Sequence, residues 1–295
     1  MQDRDVLEAA TGGSGCAPER KSVWNELTLA VTTWKPHSPP KALLFISHGV
    51  GEHMGRYDKL GKYLAEKEVL VYGHDHVGNG RSQGDRVYVE TFNTYVQDVV
   101  RHVEDMKAQY PGVPSMLMGH SMGGLIATLV AEQHQTLFSA LLLSGPALDT
   151  IPAYGTVSQS FLQLVTKGVK GFFPQAQLKT IDPNDISSIP EEAKAYADDP
   201  LVWHGGLKAR WIDEFMIALE QARTNVRTVA LPLFLMHGDR DVLVPISASQ
   251  FIRSNVGSQD VTFEVFPQNC HEVLHDKDQD KASQLIADWI LARCN

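Results

Sequence analysis

The chain has 295 residues, 43% hydrophobic and 21% charged, which is enough apolar material for a large globular core. A formal net charge of −9 with no dense Lys/Arg stripe argues against nucleic acid as a partner and against electrostatic attraction to anionic lipid. Three widely spaced cysteines, Cys16, Cys270 and Cys294, form neither a disulfide framework nor a CxxC zinc pair.

The N-terminus (MQDRDVLEAATGGSGCAPERK) lacks the apolar run of a signal peptide. No stretch reaches the roughly 20 apolar residues that a membrane helix needs. The expectation is a cytoplasmic protein in which any membrane contact is peripheral. Residues 1–23 are expected to form a flexible segment, and residues 24–295 a single domain.

Six short apolar runs follow in order, each closed by turn residues: 42–47 (ALLFIS), 69–72 (VLVY), 115–118 (SMLM), 141–144 (LLLS), 233–236 (LFLM) and 261–266 (VTFEVF). Such runs fit strands buried on both faces. Helical patterns lie between them. One runs over 57–65, and another carries Phe92, Tyr95, Val96, Val99, Val103 and Met106 on one face. A third follows Ser121 with Leu125, Ile126, Leu129 and Val130, and the last spans 281–292. The alternation predicts an α/β fold with a mostly parallel central sheet flanked by helices. The rhythm breaks over about 148–230, where amphipathic pieces (SQSFLQLVTKGVKGFF, WIDEFMIALEQA) are punctuated by prolines. This stretch reads as a helical cap or lid inserted over the C-terminal edge of the sheet, where ligands bind in open α/β sheets.

Gly119-His120-Ser121-Met122-Gly123 fits G-x-S-x-G between a strand and a helix. The pattern alone is also compatible with a structural Gly-rich turn. In this context it lifts a serine hydroxyl clear of the backbone, as a nucleophile requires. A base and an orienting acid must follow, in the order acid then histidine. The run LFLMHGDRDVLVP offers Asp239 and Asp241, and FPQNCHEVLH offers His271 and His275. Asp241 and His271 are favoured, Asp241 for its place in the turn and His271 for directly following the last strand's loop. Two backbone N–H groups should hold an oxyanion, from Met122 and from Val50 in the loop after the first run. His271-Glu272-Val273-Leu274-His275 also reads HExxH, a zinc-protease signature. A proline and a strand-like segment lie too close upstream for a long helix, and no further Glu or His follows as third ligand, so no metal is expected.

Six segments together resemble the monoacylglycerol lipase family, serine hydrolases of the α/β-hydrolase fold related to lysophospholipases. They are SHGVGEHMGRY (47–57), GHDHVGNGRSQG (73–84), GHSMGG (119–124), YADDPL (196–201), HGDRDVLVP (237–245) and CHEVLH (270–275). The resemblance runs from about 34 to 290. It implies a triad of Ser121, Asp241 and His271 and an oxyanion hole from Val50 and Met122. It also implies that Glu52, Arg56, His120 and Tyr196 lie near a glycerol head group, although Glu52 and Arg56 also suit an ion pair that holds the loop. The expected activity is hydrolysis of monoacylglycerols, small-molecule lipid esters, without a cofactor. Lysophospholipase or short-chain carboxylesterase activity is the alternative, and a non-catalytic binding module on the same fold is a third reading. Val242 departs from the cysteine found after the catalytic acid in mammalian members, and Trp203 stands where a cap cysteine is found. Oligomeric state is not legible.

Overall fold

The computed structural model describes residues 19–149, 177 and 180–294. The apolar runs become strands because their side chains alternate between two helix layers. In β3 (Ala42–Ser47), Leu43 and Phe45 enter one core while Ala42, Leu44 and Ile46 enter the other. β5 (Ser115–His120), β6 (Ala140–Ser144) and β7 (Leu233–Gly238) repeat this division: Leu117, Leu141 and Leu235 face one way, and Met118, Leu142 and Phe234 the other. A strand covered on both faces reads as a continuous apolar run, which is why these are visible in the sequence.

With β4 (Val69–His74) and β8 (Val261–Phe266), these strands pair in parallel. Two more strands, β1 (Glu19–Lys21) and β2 (Thr28–Trp34), complete an eight-stranded sheet in the order β1-β2-β4-β3-β5-β6-β7-β8. β2 is antiparallel to β4, and β1 is antiparallel to β2. The expected flexible segment, residues 1–23, therefore needs correction at its end. Residues 1–18 lie outside the described residues, but β1 is hydrogen-bonded to β2. The Ser22 hydroxyl and the Val23 N–H then donate to the two oxygens of Asp98, each at 2.7 Å.

α1 (Asp58–Glu66) and α7 (Gln279–Leu291) cover one face of the sheet. α2 (Asn93–Gln109), α3 (Met122–His134) and α6 (Ser247–Asn255) cover the other. α3 is the central helix, with Met122 through Ala131 all buried. Between β6 and β7 the described residues form a 3₁₀ turn (Pro183–Asp185), α4 (Pro190–Asp198) and α5 (Ala209–Asn225). α5 sends Trp211 and Phe215 into the α3-side core. The SQSFLQLVTKGVKGFF piece lies outside the described residues. Among the described residues no helix is long and apolar enough to cross a membrane. The mixed sheet, its parallel centre and the two helix layers are the α/β-hydrolase arrangement. The loops after β3, β5, β7 and β8 meet along one edge.

Candidate active site

Strand β5 gives way to α3 at Ser121, whose backbone sits at φ 53°, ψ −119°. Non-glycine residues adopt such angles only when their surroundings enforce them. The cause is crowding. A Cβ at Gly119 would lie 2.2 Å from the Gly123 carbonyl oxygen, and one at Gly123 would lie 1.9 Å from that of Ser47. Glycine at both positions lets the helix start against β3 and β5, and the residue between them is raised at the apex. The Ser121 N–H donates to the Ser144 carbonyl (3.0 Å), and its own carbonyl accepts from Gly124 (2.9 Å) and Ala147 (3.0 Å).

The turn after β7 supplies Asp241. Its Oδ1 accepts from the N–H groups of Leu243 (2.9 Å) and Val244 (2.8 Å), and its Oδ2 accepts from His271 Nδ1 (2.6 Å). Burial opposes the charge of Asp241, but the His271 ring and the hydrogen bonds from His237 and His271 outweigh it and hold the carboxyl well below its ordinary pKa. Burial likewise opposes a charged His271. The Asp241 carboxylate outweighs it and raises the imidazole above its ordinary value. The alternative acid, Asp239, instead caps the β8 loop, accepting from Gln268 N–H at 2.5 Å.

His237 is not singled out by the sequence. It is fully buried, with Nε2 2.9 Å from the Val244 carbonyl and 3.1 Å from Asp241 Oδ2. Both neighbours are acceptors, so Nε2 carries a proton and braces the carboxylate. Nδ1 lies 2.8 Å from the Ser249 hydroxyl on α6. Its sequence signals are its place at the head of HGDRDVLVP and its position four residues before Asp241, neither of which names this role.

The loop after β3 carries Val50. His48 accepts the His76 N–H on Nε2 (2.8 Å), which leaves Nδ1 to donate to the Gly49 carbonyl (2.7 Å). Gly51, at φ 76°, donates to Asn79 Oδ1 (2.9 Å), and Gly49 N–H donates to Glu52 Oε1 (2.5 Å). The turn around Val50 is thus tied at each side. Met122 opens α3, where the first N–H groups have no partner within the helix.

Next to the loop lies a buried ionic cluster. Arg56 Nη1 donates to Glu52 (2.9 Å) and to Glu272 (2.6 Å), and Nη2 donates to Glu272 (2.7 Å). The guanidinium carbon is 4.8 Å from the centre of the Tyr196 ring. Burial works against both carboxylates, yet Arg56 between them keeps each below its ordinary pKa. Burial lowers His120 to about 4, and the neighbouring His271 pushes the same way. His275, the rival base, has Nε2 2.8 Å from the Arg56 carbonyl and Nδ1 3.0 Å from Glu272. The HExxH run is not helical as zinc binding would need. Only Val273–His275 forms a single 3₁₀ turn, and its two histidines serve different carboxylates.

Ser121, Met122, Val50, Glu52, His120, Tyr196 and His271 line one cavity, and Asp241 stands behind His271. Arg56 takes a supporting place. It is not itself a lining residue but stays next to the cavity, paired with the lining carboxylates of Glu52 and Glu272, so the ion pair expected to hold the loop is present. Glu272 takes a wall position, a role that neither the HExxH pattern nor the CHEVLH segment assigns to it. The rest of the lining is apolar: Ile181, Ile186, Leu207, Trp211, Phe215 and Leu243 among others.

A family model described as serine aminopeptidase, S33, matches residues 38–278. Mouse monoglyceride lipase is 37% identical over 243 residues, covering 82% of this chain and 78% of that protein. A monoacylglycerol lipase of Mycolicibacterium smegmatis is 33% identical over 261 residues, covering 88% and 91% respectively. The crystal structure of Paleococcus ferrophilus monoacylglycerol lipase superposes with a TM-score of 0.78 at 25% identity, over 90% of this chain and 99% of that one.

Proposed function

Because the chain belongs to the monoglyceride lipase family of serine hydrolases, we propose that it hydrolyses monoacylglycerols to fatty acid and glycerol through an acyl-enzyme on Ser121. The observation that carries this reading is the cavity itself. A polar end and an apolar arm meet at Ser121, with the Asp241–His271 pair beside it.

With Nδ1 committed to Asp241, His271 uses Nε2 as base. It takes the Ser121 proton as the hydroxyl oxygen attacks the ester carbonyl. The N–H groups of Val50 and Met122 hold the tetrahedral oxyanion. The carbon–oxygen bond to glycerol breaks, and glycerol leaves with the proton from His271. Water then repeats the sequence on the acyl-enzyme and frees the fatty acid. Asp241 keeps its charge throughout and stabilises the imidazolium, consistent with its lowered and the histidine's raised pKa. Glu52, His120 and Tyr196 pair the glycerol hydroxyls, and Arg56 acts by fixing Glu52. In this reading the chain from β1 onward works as one hydrolase domain. The insertion over about 148–230 is its cap, lining the acyl arm and offering an apolar face to lipid.

The test is fatty acid release from a long-chain monoacylglycerol beside the matching lysophospholipid, for wild type and Ser121→Ala. Rapid release from the glycerol ester, reduced by about 10⁴-fold or more in the variant, is the expected result. Release from the lysophospholipid alone overturns the head-group assignment. Turnover of only short soluble esters moves the protein to the carboxylesterases.

A further inference from the structure

Glu272 has no part in the reaction above, yet it is 4% exposed and forms part of the cavity wall. A carboxylate offers about four acceptor sites. Glu52 spends three of its own on Gly49 N–H, the Tyr57 hydroxyl and Arg56. Glu272 also spends three, two on Arg56 and one on His275 Nδ1. Each keeps one acceptor site. His120 gives its Nδ1 proton to the Ser144 carbonyl at 3.0 Å, which leaves a lone pair on Nε2. The head-group end therefore presents three acceptors, two of them carboxylates, beside the single neutral hydroxyl of Tyr196. The cations of the cluster are spent on the backs of the carboxylates. Arg56 and His275 are outside the cavity lining, and among the described residues no Lys or Arg lines it.

Hydroxyl groups satisfy such a wall by donating to it. A phosphate cannot: above its second ionisation, near about pH 6, it carries only acceptors and close to two negative charges. We propose that Glu272, together with Glu52, makes the head-group pocket an anion filter, which takes the neutral glycerol diol as donor and rejects esters whose glycerol carries a phosphate. This rests on the monoacylglycerol reading and narrows it. The charge arrangement, rather than the space available, sets the boundary between glycerol esters and lysophospholipids. Glu272 is then a specificity-determining residue. The reacting atoms belong to Ser121 and His271, and Glu272 meets the leaving group.

Soluble butyryl esters test this without a micelle surface. Three substrates are compared: 1-butyrylglycerol, its 3-phosphate, and the neutral dimethyl ester of that phosphate, which keeps the bulk and removes the charge. For the wild type, kcat/KM on the phosphate should fall at least about 100-fold below 1-butyrylglycerol, because like charges are forced together in a desolvated site. The dimethyl ester should recover most of that loss. In Glu272→Gln the gap between phosphate and dimethyl ester should close by about tenfold, mainly through KM on the phosphate. Equal rejection of phosphate and dimethyl ester would mean that bulk decides, and overturns the filter. So does equal acceptance, or a gap unchanged in a folded Glu272→Gln. If that variant does not fold, the wild-type comparison of phosphate and dimethyl ester decides alone. Turnover of p-nitrophenyl butyrate but not of 1-butyrylglycerol overturns the substrate reading itself, and the filter with it.

Discussion

The two ends of the cavity are built by different means. At the polar end, side chains from the loops after β3 and β8 are held by short directional bonds: Glu52 by Gly49, Tyr57 and Arg56, and Glu272 by Arg56 on both oxygens. At the apolar end, Leu207, Trp211 and Phe215 contribute surface that is continuous with the α3-side core. Hydrogen-bonded charge in a buried site is all-or-none, since removing one partner strands the other. Apolar contact is graded, roughly in proportion to area. Substitutions at the two ends should therefore differ in kind as well as in size.

The largest effect belongs to the hydrogen bond that orients the base. Asp241→Asn should lower kcat by about 10⁴-fold while the fold survives, because an amide sets the wrong imidazole tautomer. Circular dichroism beside turnover separates these, and a loss under about tenfold would remove Asp241 from its role. In the wild type, Asp241 raises the pKa of His271. Since the base must be neutral, kcat/KM should fall with decreasing pH along a limb centred above about 6.5, the ordinary histidine value.

Next comes Arg56→Met, which leaves Glu52 and Glu272 buried without their shared cation. It should cost about 3–5 kcal/mol in urea unfolding near neutral pH. The sign of its pH dependence follows from the wild type. There both carboxylates have lowered pKa values. Their contribution is present above about pH 4.3 and is lost as pH falls through the folded-state values. The variant's deficit should therefore narrow toward acid, and a deficit independent of pH would mean that the cluster is held by something other than charge.

The smallest effect is at the other end. Leu207→Ala should raise KM for a long-chain monoacylglycerol by about fivefold and leave 1-butyrylglycerol unchanged, since in the proposed pose only the long chain reaches that surface. Equal loss on both substrates would break the division between the two ends.

The same contrast explains what the sequence disclosed. Strands such as ALLFIS are legible because burial on both faces writes an unbroken apolar run. β2 (TLAVTTW) is not, because apart from Leu29 it is only half-buried and its threonines blur the pattern. β1 (ERK) has no apolar residue at all and is placed by its backbone pairing with β2 and by polar side-chain bonds from Arg20 and Lys21. α6 escapes notice because only Ala248, Ser249 and Ile252 of its nine residues are buried. Ser121, Asp241 and His271 can be named because their order and turn chemistry are local signals. The bracing by His237 and the capture of Arg56 by Glu272 cannot, since each depends on which loops the sheet brings together. Glu272 is visible inside the HExxH pattern, which suggests a different chemistry, and inside the CHEVLH segment, which gives it no role of its own.

The most direct measurement is reaction of the protein with a fluorophosphonate, followed by peptide mass spectrometry. One adduct, on Ser121, lost in Ser121→Ala and slowed strongly in His271→Ala, is the expected result. An active protein that takes no label, or takes it on another residue, would contradict Ser121 as the nucleophile.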